Sequence, residues 1–286
     1  MARIAFVTDS TAGVPAEHVR KHNITVVPLQ VIFGTEAFRD GIDITQEEFF
    51  QRLKSSKALP TTSQPSVADF EEAYKSLLND PDVESIISVH ISSSLSGTYS
   101  AATQAADRLK GDGTKRISVI DTLNVYMGEG LMVVNAARMA EQGKSHDEIV
   151  QMIDGMKPKV RVLVLVDTLE YLQKGGRIGG AQAFLGGLLN VKPILHVHGG
   201  KVEPLERVRT RRKAMERLVE IGAEATKGKR VQIAVGHGEA AEDAKTLSGM
   251  IRQKMDVAEE FSSDLGPVIS THTGPGVIGF VYYPLD

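Results

Sequence analysis

Short runs rich in valine and isoleucine alternate with helical stretches through the first half of this chain, and that alternation leaves few architectures open. Residues 4–7, 24–32, 85–91 and 117–120 carry the β-branched side chains that fit a pleated sheet. Between them Phe70, Tyr74, Leu77 and Leu78 recur at one-face helical spacing, and residues 131–140 form a second such stretch. Strands separated by helices pair in parallel, with the helices packed on the faces of the sheet.

The character changes after Lys157-Pro158. Residues 162–166 read as a strand, and 193–197 with 201–205 flank Gly199-Gly200 as a β-hairpin. A helix over 210–226, a strand over 231–235, a helix over 239–254 and a final strand over 277–283 complete the pattern. A chain of 286 residues exceeds one small core. The expectation is therefore an α/β protein of two domains. Residues 1–157 would form a parallel sheet flanked by helices, and 158–286 an α/β domain with a mixed sheet.

Charge and composition narrow the function. With 33 basic against 36 acidic side chains, the net charge is −3, without the basic excess that nucleic-acid binding needs. There is no cysteine, which excludes thiol nucleophiles, thiolate metal sites and disulfides and suits a cytoplasmic protein. The apolar run at the N-terminus is too short for a signal peptide and is interrupted by Asp9. Residues 162–166 fall far short of the ~20 of a membrane span.

Three strand-to-helix junctions are crowded with hydroxyls: Thr8-Asp9-Ser10-Thr11, Thr61-Thr62-Ser63-Gln64-Pro65-Ser66, and Ser92-Ser93-Ser94-Leu95-Ser96-Gly97-Thr98-Tyr99. A helix N-terminus presents unpaired N–H groups and a partial positive charge. Serine and threonine hydroxyls add donors that rotate to suit a ligand, and Gly97 would let an anion approach the backbone. Capping alone explains any single junction, and Ser66-Val67-Ala68-Asp69 has capping-box spacing, so Ser66 reads as structural. A cap needs one hydroxyl, however, and 92–96 supplies four.

In the second half, His272 lies in what reads as a Gly/Pro loop with Thr271, Thr273, Gly274 and Gly276. It is open to both a structural role and a ligand-facing one. Lys174-Gly175-Gly176-Arg177 reads as a helix C-cap, with Arg177 beyond it in reach of an anion. Arg207, Arg209, Arg211, Arg212 and Lys213 form a basic cluster. If Thr210 caps the next helix, three of these cations oppose its macrodipole at ~0.3–1 kcal/mol each, which suggests an acidic partner or a phosphate, a solvated basic face being the alternative. His196 and His198 alternate onto one strand face, while His90, His237 and His272 are scattered. Without a His-Glu-x-x-His helix, no metal is expected. A Walker loop and a Gly-x-Ser-x-Gly elbow are both missing from the sequence.

Taken in order, Thr8-Asp9-Ser10, Thr62-Ser63-Gln64-Pro65, 92–99, Lys174-Gly175-Gly176-Arg177-Ile178 and His272-Thr273-Gly274 resemble the motifs of the DegV family over essentially the whole chain. The resemblance implies two α/β domains with a long-chain fatty acid such as palmitate in a tunnel between them. It implies no catalytic residues and no cofactor, but similarity to the lipid-carrier subunit of bacterial fatty acid kinase. Carried over by motif, Thr62 and Ser96 would bind the carboxylate with His272 nearby. Ser63, Gly97, Thr273 and Arg177 would contribute to the ligand site. Arg209 would meet a kinase subunit that makes an acyl phosphate. Transient membrane contact fits such a carrier.

Burying ~14 methylenes at ~0.8 kcal/mol each gives ~11 kcal/mol, against several kcal/mol for association. The tail would thus supply affinity, and the polar cluster head-group selection, since an unpaired buried carboxylate is penalised. Residues 181–189, apolar and Gly-rich, could wall the tunnel or form an ordinary core helix. A competing reading makes the chain a hydrolase or phosphotransferase acting on a lipid-like substrate, with Ser96 as nucleophile and His272 as base. A third makes it an adaptor working through the Arg209 cluster.

Overall fold

Pro28 breaks the longest β-rich run of the sequence, and the break sends one stretch of chain into two sheets. The computed structural model describes residues 3–111, 115–186 and 191–285. Its first half runs β1 (Arg3–Asp9), α1 (Ala16–Lys21), β2 (Thr25–Val27), β3 (Gln30–Phe33), β4 (Glu36–Arg39), α2 (Gln46–Ser55), β5 (Thr61–Ser63), α3 (Val67–Leu78), β6 (Val83–His90), α4 (Thr98–Arg108), β7 (Arg116–Asp121), α5 (Met127–Glu141) and α6 (His146–Met156). The sequence reads 24–32 as one strand. Proline has no N–H to donate to a ladder, so β2 ends before Pro28 and β3 begins after it.

The first sheet has the order β2-β1-β6-β7, all parallel. Alternate residues of β1 face opposite sides. Ala5 and Val7 pack with Phe70, Tyr74 and the alanines of α4, while Phe6 packs with Met127, Leu131, Ile149 and Ile153 of α5 and α6. A small antiparallel sheet, β4-β3-β5, shares its own core of Leu29, Val31, Phe49 and Phe50 with α2.

The second half runs β8 (Arg161–Leu165), α7 (Glu170–Lys174), β9 (Lys192–His198), β10 (Lys201–Val208), α8 (Arg211–Thr226), β11 (Val231–His237), α9 (Ala241–Lys254), β12 (Val257–Ser262), α10 (Gly266–Thr273) and β13 (Ile278–Pro284). Its sheet, β10-β9-β8-β13-β11-β12, is mixed: β11 and β12 are parallel, the other pairs antiparallel. The hairpin turns at Gly199 and Gly200, whose φ values of 56° and 81° are those a two-residue turn requires. α8 and α9 cover one face of this sheet. On the other, Val162, Leu195, Ala234 and Val281 join the same core as α5. α5 is therefore buried nearly all round over its first turns, as a helix without a polar face must be.

Tyr126, just before α5, ties the two sheets together. Its hydroxyl donates to the Ser263 carbonyl at 2.9 Å, and the Ser263 hydroxyl donates to the Gly13 carbonyl at 2.7 Å. A Cβ on Gly236 of β11 would stand 2.1 Å from that tyrosine oxygen. Overpacking a filled core costs about 1–3 kcal/mol. Gly236→Ala should therefore lower the unfolding free energy by at least that amount, measured by urea denaturation. An unchanged midpoint would mean that Tyr126 is not held where described.

Candidate ligand-binding site

A cavity opens between the two large sheets, with about 940 Å³ of space when the open solvent at its mouth is included. Most of its wall is apolar: Ile91 and Val125 come from the parallel-sheet side, Val162, Leu195 and Val197 from the mixed sheet, and Val268 from α10. The polar exceptions include Thr62, Ser96, Arg177, His272 and Thr273. Thr62, Arg177 and His272 also border an outer groove with Lys57, Tyr171 and Lys174. Thr62, Arg177 and His272 thus stand where the cavity meets the surface.

Each polar residue is placed by its own element. Thr62 sits in β5, paired with Val31 of β3, and the Ser66–Asp69 capping box turns the chain at once into α3. Ser96 closes a turn in which its N–H donates to the Ser92 carbonyl at 3.1 Å. Its hydroxyl oxygen accepts from the Thr98 N–H at 3.3 Å and lies 2.8 Å from the Thr98 hydroxyl. Ser63 and Gly97 do not border the cavity. The Ser63 hydroxyl donates to the Gln64 carbonyl at 3.1 Å. A Cβ on Gly97 would lie 2.9 Å from the Gln64 amide nitrogen, so the glycine makes room for that side chain.

His272 is helical, where the sequence reads a loop. Pro267 opens α10 and Gly274, with φ of 74°, ends it. These residues punctuate a helix too short to show periodicity. The N-terminus of α10 is satisfied from the first half of the chain. The Gly266 N–H donates to Gln46 Oε1 at 3.1 Å and the Val268 N–H to Asp40 Oδ1 at 3.4 Å. Burial pushes the Asp40 carboxyl up to about 6.

The helix delivers His272 Nε2 to 2.8 Å from Thr62 Oγ1. Burial, and then the charge of Arg177, lower the imidazole to about 4, so it is neutral at pH ~7. Its Nδ1 is buried without a partner, packed where a Cβ on Gly175 would approach to 2.3 Å. An orphaned buried N–H is rarer than an orphaned acceptor, which assigns the proton to Nε2. His272 then donates to Thr62, and the Thr62 hydroxyl hydrogen is free for a ligand. Ser96 is in the same state if the Thr98 hydroxyl donates to it.

Arg177 follows the C-cap at Gly176, whose φ is 71°, and donates to the carbonyls of Leu95 at 3.1 Å and Gly175 at 2.8 Å. The Thr273 hydroxyl donates back to the Ile269 carbonyl at 3.0 Å. The Ser96–His272 pair of the hydrolase reading is not formed: Ser96 bonds to Thr98, and His272 to Thr62.

Residues 181–186 do not border the cavity. Over 179–184 the chain forms a 3-10 turn, and Gly187, Leu188 and Leu189 lie outside the described residues. Thr210 caps α8 as expected. Arg211 pairs with Asp243 and Asp167, Arg212 with Glu216, and Arg207 lies over the Phe184 ring. Arg209 and Lys213 are exposed and make no ion pair among the described residues. The cavity also takes in Thr11 and Gln64, members of two of the hydroxyl-rich junctions that the sequence does not assign to the ligand individually, and Tyr126, which the sequence does not single out. Gln64 lies within the quoted motif, but nothing local separates its role from that of Ser63.

The family described as "Uncharacterised protein, DegV family" matches residues 3–285. A DegV domain-containing protein of Streptomyces coelicolor is 40% identical over 97% of each chain. A structure described as fatty acid binding of a DegV family protein from Thermus thermophilus superposes with a TM-score of 0.93. It is 38% identical and covers 99% of this chain and 100% of that one. A stearic acid-binding protein from Eubacterium ventriosum gives 0.87 at 29% identity, covering 99% and 98%.

The depressed His272 sets a pH dependence. Its folded value of about 4 lies below the ordinary 6.5, so its contribution to stability is present above about pH 6.5 and lost as pH falls toward 4. Asp40, raised to about 6, acts in the opposite direction over a similar window. Subtracting the pH–stability curve of His272→Gln from that of the native protein isolates the histidine. The native protein should lose up to about 3 kcal/mol more between about pH 7 and 4. Superimposable curves would show that the imidazole is not held neutral.

Proposed function

Because this chain belongs to the DegV family, we propose that it binds one long-chain fatty acid, tail in the cavity and carboxylate at Thr62, Ser96 and His272. The observation that carries this reading is a largely apolar cavity whose wall also holds the Thr62 and Ser96 hydroxyls and a neutral imidazole, with Thr62 and His272 bordering the outer groove as well. The relatives described as binding fatty acids support it. A chain the length of palmitate gains ~11 kcal/mol from ~14 buried methylenes. The hydroxyl hydrogens of Thr62 and Ser96 are the donors, and Arg177 supplies the nearby positive charge. Ser63, Gly97 and Thr273 act by shaping this end of the site.

The protein turns nothing over. It is a cytoplasmic carrier of two lobes divided near residue 157, and a fatty acid kinase subunit phosphorylates the bound acid. The exposed Arg209 is the docking residue for that partner.

Purified protein extracted and analysed for acyl chains should yield stoichiometric fatty acid. Thr62→Val with Ser96→Ala removes two hydrogen bonds to a charged group, worth about 1.5–3 kcal/mol each. Affinity should fall roughly 10²–10⁴-fold, and lipid should be lost on purification. Full retention in a folded double mutant would refute the head-group assignment. Arg209→Glu should leave lipid content intact and reduce acyl phosphate formation by an added kinase subunit; an unchanged yield would remove the docking role.

A further inference from the structure

The geometry points to a buried divalent-cation site formed by Asp9, His90 and Glu129, separate from the ligand cavity and suited to an ion such as Zn²⁺ or Mn²⁺. Asp9 and His90 are the last residues of the neighbouring parallel strands β1 and β6, and Glu129 lies in the first turn of α5. Asp9 and His90 are 81 positions apart and Glu129 lies in a third element, so no local spacing reveals them. The place is where ligands collect in such sheets, at the carboxyl ends of the strands.

One ligand atom from each residue lies within 4.8 Å of the others. Asp9 is 1% exposed, and His90 and Glu129 are fully enclosed. Glu129 Oε1 accepts from the Thr8 hydroxyl at 2.9 Å, but its Oε2 is buried with no partner. That orphaned oxygen is the second, independent observation. Two carboxylates enclosed side by side are costly unless neutralised, and no lysine or arginine bonds to either among the described residues. A dication balances both carboxylates and gives Oε2 its partner.

The donor set fits. One imidazole and two carboxylates, without sulfur, suit Zn²⁺ or Mn²⁺. His90 Nδ1 lies 3.0 Å from Asp9 Oδ2, a separation two ligands of one ion can have. Its Nε2 lies 2.7 Å from the Ser88 hydroxyl, itself 2.8 Å from the Tyr74 hydroxyl. A metal-bound histidine needs such an outer partner to hold its ring. Asp9 also accepts the N–H and hydroxyl of Thr11, a residue of the cavity wall. The ion would fix the turn that carries Thr11.

The test uses the full chain, purified without a metal-affinity step from medium supplied with zinc and manganese. A second sample is unfolded in urea and refolded with and without each ion, since an enclosed site fills as the chain folds. Elemental analysis should find near-stoichiometric zinc or manganese, and the refolded protein should melt higher with the ion. Asp9→Asn and Glu129→Gln should each lower retained metal by about tenfold or more. Native protein without bound metal by both routes, and with no shift in melting, overturns the proposal and leaves the carboxyls sharing a proton. That result needs no variant to fold, and acyl content measured on the same samples reports separately on the fatty-acid reading.

Discussion

The hydrogen bond between Thr62 and His272 joins residues 210 positions apart, and the polar end of the cavity depends on it. Neither partner is held by its own element alone. Thr62 lies on a three-residue strand that exists because β3 offers it an edge. His272 lies on an eight-residue helix, too short to be stable in isolation. That helix persists because Gln46 and Asp40 bond its first N–H groups and Val268 enters the core under α2 and β3. The cost is a carboxyl at Asp40 buried enough to be raised to about 6. The small antiparallel sheet is thus a support for α10, and through it for the imidazole.

The apolar part of the cavity follows from how the two large sheets meet. Each has one face covered by its own helices, α3 and α4 on one and α8 and α9 on the other. The remaining faces share a single core through α5. Just before α5 begins, at Val125 and Tyr126, the chain lines the cavity. Because its walls come from both sheets, a guest there would bridge the halves of the chain, and its buried length would add to the stability of the pair by mass action.

Much of this frame is legible in the sequence, because it rests on local signals. The β-branched runs, the Gly199-Gly200 turn, the Ser66 capping box and the Thr210 cap each encode their own conformation. What escapes is set by distant partners. The run over 24–32 looks continuous, yet Pro28 divides it between two sheets. β12 carries Glu259 and Glu260, which lower its strand signal; they sit there because Arg138 and Arg252 pair with them. The hydroxyls over 92–99 are recognisable as a cluster, but their bonding is not. Ser96 turns to Thr98, and Thr62 takes the histidine. Asp9, His90 and Glu129 lie in three separate elements and come together only in the fold.

The chemistry of the polar end argues for holding a ligand without locking it. A site built for maximal anion affinity would present a bidentate arginine free of other ties. Arg177 instead spends two of its donors on the carbonyls of Leu95 and Gly175, and the neighbouring imidazole is neutral. Neutral hydroxyls contribute about half of what a charge-assisted pair does, so most of the binding energy falls to the apolar wall. On the proposed reading, an acid held that way would keep its carboxylate near the outer groove, along which Lys57 and Lys174 lie, with its tail buried.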